Sequence, residues 1–419
     1  MNGVPRTLNS KRYFRSLNKL TSDLLDMKGR EMMKLSFKSY GRGLRVIILS
    51  LFGATAIANP AHEFSLPNIS GPISTCRALL QTTDFSKFTE QGVRTEILGV
   101  LDRVRSRIVG QEDLLRKIMV AILADGHVLL EGPPGVAKTK AVRTFAEAIA
   151  ASWNRIQFVS DMMPRDITGT IDYDRSSGSR KLVGSQLPFN FILGDEINRA
   201  PEKLQSALLE VMEERRFTVY GQTIVMPDLF LLLATQNPIE QRGTFKLPEA
   251  QLDRFLMKLA IGYPRQEDER SILQMRLGEE KAKYQPKDDA PDSSKPLTSQ
   301  EAILAARKFV LNTGMDAKVE DYILTIVQAS RNPQLFSREL SQQIKMGAGP
   351  RGSQSLMFAS MAMAWLNGHS SVEISDVDAI VHDVLRHRLI LTEDALIENK
   401  SVEKVISNLL EMVKEQMGK

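Results

Sequence analysis

One junction constrains this chain more than any other feature. His127–Glu131 (HVLLE) is a short apolar run, Gly132–Thr139 (GPPGVAKT) interrupts it, and Lys140–Ala151 resumes as an alanine-rich helical pattern. Strand, glycine loop and helix in that order point to an α/β fold with the loop wrapped around phosphates. Gly132 and Gly135 let the backbone approach closely, and the loop N–H groups point inward at the anion. Lys138 is placed to reach the outer phosphates and the Thr139 hydroxyl to ligate Mg²⁺. Pro133, Pro134, Val136 and Ala137 complete the loop. Ala137 stands where the strict pattern has glycine, which is sterically acceptable if that residue keeps a negative φ.

A phosphate loop needs a metal-holding carboxylate on a neighbouring strand. Phe189–Glu196 (FNFILGDE) is a mostly apolar run ending in two acids. Asp195 is expected to hold Mg²⁺ through water, and Glu196 to polarise the attacking water. Pro201 then opens a helix with Leu204, Ala207, Leu208, Val211 and Met212 on one face. A further apolar strand, Leu229–Asn237 (LFLLLATQN), ends in Asn237, whose amide can orient the lytic water or touch a γ-phosphate. Leu247–Phe255 (LPEAQLDRF) puts Arg254 at the end of a short helix. Phe217–Met226 alternates around Tyr220-Gly221, a hairpin signal.

Taken together, the segments IVGQE (Ile108–Glu112), GPPGVAKT, MPRDITGT (Met163–Thr170), GDEINRAP (Gly194–Pro201), ATQNPIEQ (Ala234–Gln241) and LPEAQLDRF resemble the AAA+ ATPases of the MoxR type. That family tolerates alanine at the position of Ala137. The resemblance covers roughly residues 93–395. It implies a P-loop AAA+ fold, a parallel-sheet αβα core followed by a small α-helical lid. By the same resemblance Asn237 matches the first sensor and Arg254 the arginine finger acting on the next subunit. Gly349-Pro350-Arg351 matches the second-sensor motif, with action in cis or in trans left open; Gly352 stands where alanine is expected. The implied activity is ATP hydrolysis with ATP and Mg²⁺ bound. The implied assembly is a homo-oligomeric, hexameric ring that remodels or matures a client protein, often one with a von Willebrand factor A domain. The hairpin would project toward the ring axis, although a plain edge hairpin fits equally well. Two other function classes stay open. A DNA-directed AAA+ motor would carry basic residues on the hairpin, and Phe217–Met226 has no Lys or Arg, so nucleic acid is not expected. A related ATPase that inserts a metal or cofactor is the other; a non-hydrolysing scaffold would lack Glu196 or Arg254.

Composition bounds the rest. The 419 residues are 42% hydrophobic and 25% charged, as in a globular protein of two or three domains. A single cysteine, Cys76, excludes a disulfide framework and any cysteine-built metal site, and His382 and His387 do not share a helix face. The net charge of +5 is unevenly placed: residues 1–58 hold 11 Lys+Arg against 3 Asp+Glu, so the remaining chain is slightly acidic. Lys38, Arg42 and Arg45 precede an apolar run, Val46–Ala58, which has the form of a secretory h-region and is short for a bilayer span. An Arg-rich presequence and a chain start placed too far upstream are alternatives. Because export would part the body from its ATP, the expectation is a cytoplasmic protein whose arm, residues 1–58, can touch a membrane. Five regions follow: 1–92, a basic extension; 93–278, the ATPase core; 279–297, a Pro/Ser linker; 298–395, the helical lid; and 396–419, a C-terminal helix. Met357, Met361 and Met363 are expected to fill the lid core.

Overall fold

The computed structural model describes residues 84–418, apart from 134–137, 175–178, 237–244, 246, 283 and 285–294. All of them lie in the unit Ser74–Lys419. Helix α1 (Glu90–Arg107) starts where the Thr89 side chain accepts the Gly92 N–H, and it buries Val93, Ile97, Val100, Leu101 and Val104 along one stripe. Helix α2 (Glu112–Leu123) leads to β1 (Val128–Glu131), and α3 (Lys138–Ala148) follows the loop. Strand β2 (Trp153–Gln157), the short α4 (Pro164–Thr168), and the antiparallel pair β3 (Thr170–Asp174) and β4 (Ser179–Val183) come next. The chain then forms β5 (Phe191–Asp195), α5 (Glu202–Glu214), β6 (Arg216–Val219), β7 (Gln222–Val225), β8 (Leu231–Gln236), α6 (Glu249–Leu252) and β9 (Met257–Ala260).

Five strands make one parallel sheet in the order β2-β5-β8-β1-β9. Its central strands are apolar on both faces, as a sheet covered by helices on each side requires. Alternate residues feed separate cores. Val128, Leu130, Phe191, Leu193, Leu231 and Leu233 pack with α1, α2 and α3 in a core that continues into the lid. Leu129, Ile192, Leu232 and Ala234 pack with Phe158, α5 and the β6–β7 hairpin. The expected αβα core is therefore present. On α5 the expected apolar face holds except that Ala207 is only half-buried, while Gln205 and Leu209 are buried as well. The hairpin turns at Tyr220 and Gly221, both at positive φ, and Tyr220 is 78% exposed at the tip.

Helix α7 (Gln266–Ala282) runs past Glu279, so the first four residues expected in the linker are helical; 285–294 lie outside the described residues. The lid comprises α8 (Gln300–Leu311), β10 (Gly314–Met315), α9 (Ala317–Arg331), α10 (Arg338–Gln343), β11 (Ile344–Met346), α11 (Pro350–Asn367), β12 (Ser371–Val372), α12 (Ile374–Leu385) and β13 (Ile390–Leu391). It is not purely helical: β10 pairs with β12 and β11 with β13. These strands are too short for any period to register in the sequence. The C-terminal region also departs from one helix, because α13 (Glu393–Ile397) and α14 (Val402–Gln416) are separated by Asn399 at positive φ. Met361 and Met363 are buried and Met357 packs against them, as expected of core fillers. Among the described residues no helix is long and apolar enough to cross a membrane. The arm, the apolar run and Cys76 lie outside the described residues.

Candidate functional site

The carboxyl ends of β1 and β5 bring together the residues expected to handle phosphate and metal. Gly132 follows β1 directly, and a methyl group there would sit 2.6 Å from the Ile261 carbonyl oxygen, so only glycine fits between these segments. Lys138 and Thr139 open α3, and Lys138 Nζ donates to the Gly132 carbonyl at 2.9 Å. Burial lowers the Lys138 pKa from its ordinary value, and the charges of Asp195 and Glu196 oppose that shift. The lysine thus lies in the field of the acidic pair. Pro134, Gly135, Val136 and Ala137 lie outside the described residues, while Pro133 is half-buried beside Gly132.

Asp195 ends β5 and is buried. Its Oδ2 accepts from Arg155 Nε on β2 at 2.6 Å, and its Oδ1 accepts from Thr235 Oγ1 on β8 at 3.2 Å. Glu196 leaves the strand in the left-handed region, with φ of 57°. This turn aims its carboxylate away from the strand line, where Oε2 accepts from Arg199 Nε at 2.8 Å and Gln157 Nε2 at 3.2 Å. The Glu196 N–H donates to Thr235 Oγ1 at 2.9 Å, so one hydroxyl ties both acids to β8. Asn237, two residues further on, lies outside the described residues. Among the described residues no group of three or more His, Cys, Asp or Glu gathers as a metal cage. An oxygen pair such as Thr139 and Asp195 suits Mg²⁺, which keeps most of its waters and takes few protein ligands.

Arg254 and Arg351 lie at the other end of the sheet. Arg254 follows α6 rather than ending it, in the turn that precedes β9, and Leu256 N–H bonds the His127 carbonyl at the start of β1. Arg351 is the second residue of α11. Both guanidinium groups converge on Glu213 of α5: Arg254 Nη2 lies 3.0 Å from Oε2, and Arg351 Nη2 lies 2.5 Å from Oε1. A groove of about 1650 Å³ opens here, lined in part by His127, Glu213, Arg254, Arg351 and Phe358. A cation pair held by one carboxylate and facing a groove is an arrangement that can receive an anion from outside the chain.

Comparison with known proteins gives the family and agrees with the fold. The model of the ATPase family associated with various cellular activities (AAA) matches residues 127–257, and that of the AAA lid domain matches residues 338–409. Chaperone MoxR1 of Mycobacterium tuberculosis is 43% identical over 311 residues, spanning 74% of this chain and 80% of its own length. The chain belongs to the MoxR-type AAA+ ATPases. Protein MoxR of Paracoccus denitrificans is 29% identical over 68% of this MoxR-type chain and 86% of its own. A candidate ATPase of Cytophaga hutchinsonii, solved at 2.00 Å, superposes with a TM-score of 0.70 at 33% identity, covering 82% of this chain and 98% of the other.

Sequence reading missed several residues of this MoxR-type site. Thr235 carried a signal, a hydroxyl near the end of an apolar strand. Arg155, Gln157 and Glu213 carried none, because each reads as one more polar residue on a strand or helix until the fold sets its neighbours.

Proposed function

We propose that this chain hydrolyses ATP to ADP and phosphate in a homo-oligomeric ring and uses the cycle to remodel a partner protein. The observation that carries this reading is the separation of two half-sites. Lys138, Asp195 and Glu196 stand at the carboxyl end of the parallel sheet, whereas Arg254 and Arg351 stand beyond its amino end. The arginines cannot serve the chain's own phosphate loop, and a head-to-tail neighbour would bring them to another's. On this reading both act in trans.

The roles follow from position. Lys138 binds the outer phosphates, and the loop of Gly132, Pro133, Pro134, Gly135, Val136 and Ala137 supplies backbone N–H groups. Thr139 and Asp195 hold Mg²⁺, which neutralises charge on the phosphates when bound. Glu196 orients and deprotonates the attacking water. Asn237 positions the same water, and Arg254 and Arg351 stabilise charge developing on the transferred phosphoryl group. The named chaperone relative supports a protein as client. A von Willebrand factor A domain in that client, a hexameric ring, a cytoplasmic location and a membrane-touching arm remain part of the proposal on the sequence reading alone.

The test is Arg254→Ala. It should bind ATP as the unmodified protein does while turnover falls by about 10³–10⁵-fold, the contribution of a trans-acting arginine. Wild-type turnover in that variant would overturn the reading.

A further inference from the structure

The lid contains an arginine that the roles above do not use. Arg388 lies between α12 and β13, and only 2% of its side chain is exposed. Its guanidinium spends every nitrogen on the joint between lid and core. Nε donates to Asp253 Oδ1 at 2.8 Å. Nη1 donates to the Val384 carbonyl at 2.6 Å and the Leu256 carbonyl at 3.2 Å. Nη2 reaches the carbonyls of Phe255 at 2.7 Å and Asp253 at 3.1 Å, and Ser355 Oγ at 3.1 Å. Three of these partners, Asp253, Phe255 and Leu256, flank Arg254 in the chain. Ser355 is on α11, one turn beyond Arg351. The side-chain stem packs close to Gly352, where an added methyl would lie 3.5 Å from Arg388 Cδ.

Two neighbours reinforce the same seam. His387 Nε2 faces the Phe255 carbonyl at 3.1 Å, and Arg386 donates to the Lys258 carbonyl. One lid segment thus fastens β9 and the turn before it, and along that segment Arg388 alone, among the described residues, grips both elements that carry Arg254 and Arg351. A buried guanidinium with a fixed fork of five donors suits this task, whereas an ammonium cannot span the same set.

We infer that Arg388 is a positioning residue that sets Arg254 and Arg351 as one rigid pair for the neighbouring subunit's phosphate. It touches no nucleotide. The inference rests on the proposed trans action of Arg254. A guanidinium displaced by about 1 Å at a reacting phosphate can cost on the order of 10²-fold in rate. ATP binding at the chain's own loop, on the far side of the sheet, is untouched by that displacement.

The experiment uses the full chain. Arg388→Lys should bind a fluorescent ATP analogue within about threefold of the unmodified protein, an effect below about 0.7 kcal/mol. Its kcat should fall by about 10²-fold, with little change in KM. Mixed in equal amounts with Lys138→Ala, it should regain ATPase, because its intact loop then meets an intact arginine pair. Asp253→Asn removes only the charge opposite Nε and should move kcat the same way by a smaller factor. Wild-type kcat in both variants overturns the inference. So does an Arg388→Lys protein that loses ATP binding and gains nothing on mixing, since the residue is then a general brace. An Arg254→Ala and Lys138→Ala mixture runs beside it as the control. If that control also fails to recover, the trans reading itself falls and this inference falls with it; if only the Arg388→Lys mixture fails, the fault lies with Arg388.

Discussion

The Arg155 guanidinium lies 2.6 Å from Asp195 Oδ2, so the carboxylate proposed to hold the metal already carries a cation from the adjacent strand. Arg155 and a hydrated Mg²⁺ would draw on the same negative charge. Removing the guanidinium should favour the metal. Because the Arg155 side chain is half exposed, the ion pair is worth at most about 1 kcal/mol, close to fivefold in affinity. Arg155→Gln is expected to lower the Mg²⁺ concentration for half-maximal ATPase by about two- to fivefold. A raised requirement would mean that Arg155 orients the carboxylate for the metal instead of competing with it.

Lys138 offers a second measurement. Its ammonium bonds the Gly132 carbonyl at 2.9 Å, a contact that on the proposed reading a phosphate oxygen replaces with a stronger charge-assisted one of about 1.5–3 kcal/mol. Lys138→Ala should weaken ATP binding by roughly 10- to 150-fold in calorimetry. Equal affinity in the two proteins would remove the lysine from the phosphate site.

His127 makes stability depend on pH. It is enclosed at the start of β1, accepts the Leu232 N–H on Nδ1 at 3.0 Å, and turns Nε2 to the Met212 carbonyl at 3.3 Å. Burial first, then the Arg215 and Arg307 charges, depress its pKa from 6.5 to about 3. The folded chain therefore keeps it neutral where the unfolded chain protonates it. Stability is full above about pH 6.5 and is lost as pH falls toward 3, by at most about 1.4 kcal/mol per pH unit from this group. His387, also depressed by burial, adds a parallel slope. The difference between the unmodified protein and His127→Asn, in urea unfolding at pH 7 and pH 5, isolates the first. An unchanged slope in the variant would show that His127 does not stay neutral in the fold.

Gly347 should be among the least replaceable residues of the lid. An added methyl would fall 2.1 Å from the Ser330 carbonyl oxygen, at the end of α9. The same crossing is fastened by Ala348 N–H to Ser330 Oγ at 3.1 Å and by Arg331 Nε to the Ala348 carbonyl at 2.5 Å. Gly347→Ala is expected to cost about 1–3 kcal/mol and to lower the thermal midpoint. An undiminished midpoint would mean that the two backbones separate cheaply.

How far the sequence could be read depended on the range over which each signal acts. The strand–loop–helix junction around Gly132 and Lys138 and the strand that ends at Asp195 were legible because glycine, lysine and acids stand at fixed places beside apolar runs, each within its own strand–turn unit. The hairpin was legible for the same reason, since Tyr220-Gly221 marks its own turn. Glu213 and Arg388 were not. Their partners lie 41 and 138 positions away from Glu213, at Arg254 and Arg351, and 135 positions away from Arg388, at Asp253. Nothing local separates such a residue from a solvated surface charge. The left-handed backbone of Glu196 was likewise hidden, because it goes with a hydrogen bond from the Glu196 N–H to Thr235 on another strand.

Strand β1 is only four residues long, yet it separates the proposed loop site from the proposed arginine pair. At about 3.3 Å per residue it spans roughly 13 Å, more than an extended arginine can bridge. Plug and socket are thereby mounted on opposite walls of the same part, and no rotamer lets the molecule plug into itself. On the proposed reading, dilution becomes the simplest off-switch, because specific activity must decay as copies drift apart. A single defective copy then takes part in two junctions and spoils one of them, at its loop or at its arginines, according to where the lesion falls.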